Sequence, residues 1–415
     1  MATSDQVDPA FLRGITQSRF SRRRLVRGAA GIAAGAGIMS FLEACGIAGT
    51  RGTGAAEDVN WSVFWSQQRR AGVLDWANWP LYIDTQNGGD HPSIDEFTKR
   101  TGITVSYRPV IQDNAPFFAQ ISPVLQAGQS IGYDLIVMTD GWELTQLIQN
   151  RWLIPLDQSR MPNFHRYAGV TARSPSFDPG NRYSVAWQSG LTGIAYDPRM
   201  TGREITSVKD LWAPAFKGKV GMMSDDTELG AVGMLALGIA DQTKSTPDDW
   251  NRAADLLKRQ RDDGLVRQYY DQSYIKALED GDTWITQAWS GDVFQANYSG
   301  FPHLKFVVPK EGVMLWHDNC VIPLHAQHPV DAMEWINFYY QPPIEAMIED
   351  WVNYLCPVPA AKRLISTRID DPGVADSPLV FPPPTTRRRF RKYYDFKGIE
   401  DHQEYTSIFD PIIQS

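Results

Sequence analysis

The sequence predicts an α/β protein of two domains with a cleft between them. Three observations carry that prediction. At 415 residues the chain exceeds what one ordinary hydrophobic core serves. Strand signals alternate with helix signals along it, the rhythm of a mainly parallel sheet with helices on both faces. Hydrophobic residues make up 43% and charged residues 21%, the balance of a globular chain.

The first segment reads as an address. A basic stretch, Ser21-Arg22-Arg23-Arg24-Leu25-Val26-Arg27, precedes a small apolar run from Gly28 to Leu42, which ends in Leu42-Glu43-Ala44-Cys45. The run is too short and too rich in Gly and Ala for a good spanning helix. The arginines resemble a twin-arginine export signal and the ending resembles a lipobox, with an unusual Glu43 inside it. Residues 1–45 are therefore expected to be an export signal with Cys45 as the lipidated residue, and the alternative is an uncleaved N-terminal anchor. The expected location is the outer face of the cytoplasmic membrane or the periplasm. The net charge of −8 becomes −11 once residues 1–44 are removed. That acidity argues against a nucleic-acid partner and suits a cationic ligand.

Residues 46–70 read as a linker that ends in a stretch containing Trp61 and Trp65. Strands are then expected at Val73–Trp79, Ile103–Tyr107 and Tyr133–Met138. They alternate with helices opened by the capping-box pattern Ser93-Ile94-Asp95-Glu96, at Phe117–Ala127 and at Trp142–Trp152. In the second half, Ser184–Trp187 and Thr192–Tyr196 read as strands around Gly190. Lys219–Met223, Thr283–Trp289 and Leu304–Val308 read as further strands. Helices are expected at Leu229–Gly238, after Thr246-Pro247-Asp248-Asp249, at Asp331–Tyr340 and at Ile344–Trp351. Cys320 and Cys356 could pair in an exported chain, or stand as two buried thiols.

Catalytic motifs are missing from the sequence: there is no Gly-x-Ser-x-Gly, His-Glu-x-x-His, phosphate-binding glycine loop or Cys-x-x-Cys. His325 and His328 lack a third ligand, so neither a metal site nor a cofactor is expected. What stands out is aromatic residues beside acids at strand ends: Asn78-Trp79-Pro80-Leu81-Tyr82, Thr139-Asp140-Gly141-Trp142, Ser224-Asp225-Asp226-Thr227-Glu228, Trp289-Ser290-Gly291-Asp292, Trp316-His317-Asp318-Asn319 and Tyr354. Aromatic faces attract cations and cover methylenes, and carboxylates bind ammonium groups. Asp225, Asp226 and Glu228 would also suit a helix N-terminus, and Trp289 and Trp316 would also suit a core. Asp318 lies in a segment that should be buried, where a carboxylate needs a partner.

In order along the chain, Asn78-Trp79-x-x-Tyr82, Tyr133-Asp134-Leu135-Ile136-Val137, Leu211-Trp212-x-Pro214-x-Phe216-Lys217-Gly218, Ser224-Asp225-Asp226, Pro309-Lys310-Glu311-Gly312, Trp316-x-Asp318 and Ile336-Asn337-Phe338 resemble the bacterial spermidine/putrescine-binding proteins of ABC transporters. The resemblance runs from about Val73 to Arg363. It implies a two-domain periplasmic-binding-protein clamshell with mixed, mainly parallel sheets that closes on its ligand. Residues 71–186 and 319–365 would form the first domain, and 187–318 and 366–415 the second. By motif match the implied ligand residues are Trp79, Tyr82, Thr139, Asp226, Glu228, Trp289, Trp316, Asp318 and Tyr354. Two departures stand in the cleft. Gly141 occupies a place where the family often has an aromatic, and Trp142 either substitutes or points elsewhere. Glu228 follows the Asp-Asp pair one residue early. The implied function is capture of a polyamine or related organic cation by a monomer that delivers it to membrane permease subunits, with no bond chemistry. The other readings are a ferric-ion binder using Tyr269-Tyr270, Tyr339-Tyr340 or Tyr393-Tyr394, an exported enzyme on the same scaffold, and a receptor with a vestigial cleft.

Overall fold

The computed structural model describes residues 59–86 and 89–414. The expected export signal, Cys45 and the linker up to residue 58 lie outside them. Ten strands are present among the described residues: β1 (Val73–Ala77), β2 (Thr104–Arg108), β3 (Leu135–Thr139), β4 (Ser184–Tyr196), β5 (Val220–Met223), β6 (Val266–Tyr270), β7 (Ile285–Trp289), β8 (Lys305–Val307), β9 (Val313–Val321) and β10 (Phe390–Arg391). They join in one sheet of order β2-β1-β3-β9-β4-β7-β5-β6, with β8 beside β4 and β10 beside β9. The flanks are parallel, β1 with β2 and β3 on one side and β5 with β6 and β7 on the other. The middle, β3-β9-β4-β7, is antiparallel. The fold is mixed α/β, as expected.

Two short strands expected around Gly190 are in fact one, the thirteen-residue β4, buried at every position. Its partner explains the continuity. β9 runs beside it from Ser184 opposite Val321 to Thr192 opposite Met314, with a register shift between Ala186 and Gln188. A long neighbouring strand supplies backbone partners across a glycine where side-chain pattern alone breaks off. The segment Trp316–Asn319, read from sequence as lying between two apolar runs, is the middle of β9.

This register sets the stage for a site. Thr139, the last residue of β3, lies opposite Asp318, which lies opposite Gln188. Trp289, the last residue of β7, lies opposite Thr192. The carboxyl ends of β3 and β7 thus reach the β4–β9 pair four residues apart, about 13 Å along the strand. Carboxyl ends of strands are where open α/β sheets bind ligands.

The same two strands feed both large cores. Val185, Ala186, Trp187 and Cys320 pack in the first, around Trp76, Phe97, Trp335 and Tyr339. Ile194, Tyr196 and Met314 pack in the second, around Trp250, Tyr405 and Phe409. Trp76, Trp187 and Trp335 meet at ring distances of 5.0–6.3 Å, so these three of the chain's 14 tryptophans are core. Within the expected second-domain stretch 366–415, Val374, Ala375 and Val380 join the first core, while Tyr394, Phe396 and Ile412 join the second.

Local signals fared unevenly. The Thr246–Asp249 sequence makes a reciprocal capping box on helix Pro247–Asp262. The expected Ser93–Glu96 box does not form. Helix Pro92–Thr101 starts from His91, because Asp84 takes both the Ser93 amide (2.8 Å) and the Ser93 hydroxyl. Helix Trp61–Gln67 occupies part of the expected linker. Trp65 is buried there and donates from Nε1 to the Pro155 carbonyl at 2.9 Å. Cys320 and Cys356 are buried free thiols. No described helix is long and apolar enough to cross a membrane.

Candidate ligand-binding site

Asp318 is the centre of the first half of the site. It is 6% exposed, and each carboxylate oxygen accepts one hydroxyl. Thr139 donates to Oδ1 at 2.6 Å and Tyr82 to Oδ2 at 2.5 Å. Burial pushes the carboxyl up to about 6 against the pull of these two bonds. Tyr82 is placed by the turn after β1, in which Trp187 Nε1 donates to the Tyr82 carbonyl at 3.0 Å.

Trp316 precedes Asp318 by two residues on β9 and so faces the same side. Its ring lies flat on Gly190: a Cβ there would come within 2.0 Å of Trp316 Cζ2. Tyr354 completes the aromatic wall, with ring centroids 5.5 Å from Trp316 and 5.8 Å from Tyr82. It too rests on a glycine, since a Cβ at Gly291 would stand 2.4 Å from Tyr354 Cζ. The Leu355 amide, bonded to the Ser189 carbonyl at 2.8 Å, holds that segment against β4.

The second half centres on Glu228, in the first turn of helix Asp226–Ala236. Its Oε1 accepts from Thr192 at 2.7 Å and from Trp289 Nε1 at 3.2 Å, and its Oε2 from Tyr393 at 2.8 Å. Burial, followed by the Asp225 charge, pushes it up to about 7. Asp292 joins the halves. It accepts from Tyr354 at 3.2 Å and from Tyr274 at 2.6 Å, and the Tyr274 oxygen accepts the Trp289 amide at 2.9 Å. Neither Lys nor Arg pairs with Asp318, Glu228 or Asp292 among the described residues. Three buried or half-buried carboxyls among Trp and Tyr faces can hold an extended organic cation.

Six of the nine expected ligand residues, Tyr82, Thr139, Glu228, Trp289, Asp318 and Tyr354, are therefore linked through two bonded clusters, and Trp316 joins them by ring contact with Tyr354. Trp79 joins neither cluster: it packs against the first core, and its Nε1 donates to the Val137 carbonyl at 3.3 Å. Asp226 faces the charges of Asp410 and Glu143 rather than Asp318. Trp142 stacks on His402 at 4.3 Å and packs against the second core, so it points away from the place left by Gly141. Thr192, Tyr274, Asp292 and Tyr393 were not singled out as ligand residues. Asp292 ends one of the acid–aromatic motifs, whereas Tyr393 arrives from the far end of the chain, where its pairing with Tyr394 pointed to iron rather than to this site.

Residues 93–382 match the profile of the bacterial extracellular solute-binding proteins. The chain belongs to that family. This solute-binding protein is 29% identical over 315 residues to the spermidine/putrescine-binding periplasmic protein of Salmonella typhimurium, covering 75% of this chain and 83% of the relative. It is 28% identical over 269 residues to the putrescine/agmatine-binding protein of Pseudomonas aeruginosa, covering 60% and 72%. Among solved structures, the spermidine/putrescine ABC transporter substrate-binding protein of Streptococcus pneumoniae superimposes with a TM-score of 0.71 at 23% identity, covering 82% of this chain and 98% of that one. The last likeness gives the fold, a two-domain periplasmic binding protein. These relatives are binding proteins rather than enzymes.

Proposed function

We propose that this solute-binding protein captures a linear polyamine and hands it to the permease subunits of an ABC importer. The observation that carries the reading is Asp318: a buried carboxyl with two hydroxyl donors and no Lys or Arg partner among the described residues, beside the Trp316 and Tyr354 rings, which meet at a tilt of 58°. Ammonium groups would sit at Asp318 and toward Glu228 and Asp292, with the alkyl spine against Trp289, Trp316 and Tyr354. The roughly 13 Å between the two levels of the β4–β9 pair is nearer the span of an extended triamine than of a four-carbon diamine. The names of the relatives support the same ligand class. The two lobes would close by bending β4 and β9 near their register shift. We further read the protein as a monomer, exported and held at the membrane by lipid on Cys45.

The ferric-ion reading loses support at its own residues. Both Tyr339 and Tyr340 donate to the Ala186 carbonyl, at 3.0 and 2.7 Å, inside the first core. Tyr393 and Tyr394 diverge, to Glu228 and to Asp401.

Titration calorimetry with putrescine, spermidine, spermine and agmatine tests the proposal. Saturable heat with at least one amine is expected. Folded protein that gives none with any of the four would end the polyamine reading.

A further inference from the structure

Glu345 and Glu349 stand one turn apart on helix Pro342–Val352 and project from one face. Both are fully buried. The helix ends at Asn353, whose left-handed backbone (φ 60°) turns the chain back. Cys356 returns to the two carboxyls, held by its amide on the Val380 carbonyl at 3.2 Å. One oxygen of each glutamate and the Cys356 sulfur all lie within 4.8 Å of one another. Gln188 reaches in from β4, with Nε2 3.3 Å from Glu345 Oε1.

The cluster has too many acceptors. Both oxygens of Glu349, Oε2 of Glu345 and Oε1 of Gln188 are buried without a hydrogen-bond partner. Cys356, Gln188 and the Tyr354 amide lie near the Glu349 carboxyl, but none is aligned to bond to it. No basic side chain is among the charges acting on either glutamate. Two buried carboxyls with three of their four oxygens unpaired are costly, and a cation removes the cost.

We propose that Glu345, Glu349 and Cys356, with the Gln188 amide oxygen as fourth ligand, bind one divalent transition ion of the zinc class. A half-turn of the Gln188 amide presents its oxygen in place of its nitrogen. Ligand atoms around a tetrahedral zinc stand about 3.3–3.8 Å apart, so loading draws the cluster in by roughly 1 Å. The thiolate favours zinc-like ions over calcium or magnesium, which take oxygen alone. Loading sends the protons held by the carboxyls and the thiol to solvent. Because Gln188 pairs with Asp318 across β4 and β9, the ion ties the helix to the central strands. The site is independent of the amine reading.

Cobalt(II) is the probe, added to the purified full chain after dialysis against a chelator. One cobalt per chain by elemental analysis is expected, with a sulfur-to-cobalt absorption band that zinc abolishes. Cys356→Ser should remove the band, Cys45→Ser should leave it, and Glu349→Gln should weaken cobalt binding at least tenfold. Zinc should raise the melting temperature of the wild type but not of Glu349→Gln. Folded wild type that retains no stoichiometric cobalt overturns the proposal. So does cobalt binding that is unchanged in both Cys356→Ser and Glu349→Gln. Should Cys356→Ser fail to fold, the Glu349→Gln affinity and melting data decide alone.

Discussion

Asp318 and Glu228 show how burial turns two ordinary carboxyls into titrating groups near neutrality, at about 6 and about 7. Their folded-state values lie above the normal carboxylate range, so the folded protein holds protons that the unfolded chain releases. Their stabilising contribution is thus complete below about pH 4 and is lost as pH rises through 6 to 7. A bound ammonium group reverses the preference, because it favours the ionised form. The rise in melting temperature on adding spermidine should therefore grow between pH 5 and pH 8, and Asp318→Asn should flatten that growth. Thermal melts with and without amine across this range check it. At fixed pH 8, Asp318→Asn should cost about 2–5 kcal/mol of amine affinity, as removal of one partner of a buried charge pair does. Trp316→Ala should cost about 1–2 kcal/mol through the lost cation–π face. Calorimetry reads both, and unaltered affinity in both variants would displace the site from β9.

At the scale of elements, the controlling feature is a glycine in a long strand. Gly190 lets Trp316 lie against β4, and an added methyl would meet the indole at 2.0 Å. Gly190→Ala is expected to cost about 1–3 kcal/mol by overpacking. It should also weaken amine binding by pushing Trp316 from the wall. Denaturant unfolding and calorimetry separate the two effects. Helix Pro247–Asp262 offers a control far from the site. Thr246→Ala, which breaks its capping box, should lower stability by about 1 kcal/mol and leave affinity unchanged. Its local Thr-x-x-Asp signal was legible in sequence because a cap needs only neighbours within one turn. The Ser93–Glu96 pattern was equally clear and misled, because Asp84, nine residues away, captured Ser93.

For the molecule as a whole, the sheet forms a single unit through which two cores share β4 and β9. On the proposed closure β4 and β9 would bend, together with the segment between Val380 and Tyr394 that also passes from the first core to the second. Adding a saturating amine should reduce the radius of gyration measured by solution X-ray scattering, and Gly190→Ala should blunt the change. The net charge of −8, which would be −11 without residues 1–44, favours approach of cationic ligands over distance, so amine association should slow as salt rises. Anchoring is a separate question at this scale. Cys45→Ser expressed in a bacterial host should move the protein from the detergent fraction to the aqueous fraction, read by immunoblot.

The sequence by itself determined the features that depend on near neighbours. The α/β alternation and most strand and helix positions could be read from short windows. So could the acid–aromatic motifs that hold Tyr82, Thr139, Trp289, Trp316 and Asp318. Only the tertiary structure decided which motifs meet. Asp318 acquires Thr139 and Tyr82 through partners 179 and 236 residues away, and Glu228 acquires Tyr393 from 165 residues away. Trp142 and Asp226 carry the same local pattern yet face other neighbours. A side chain's type and spacing state what chemistry it can do, but its partners are set by strand register. Here that register rests on β9 lying along β4 from Ser184 to Thr192, a pairing between segments more than a hundred residues apart that leaves no trace in either window.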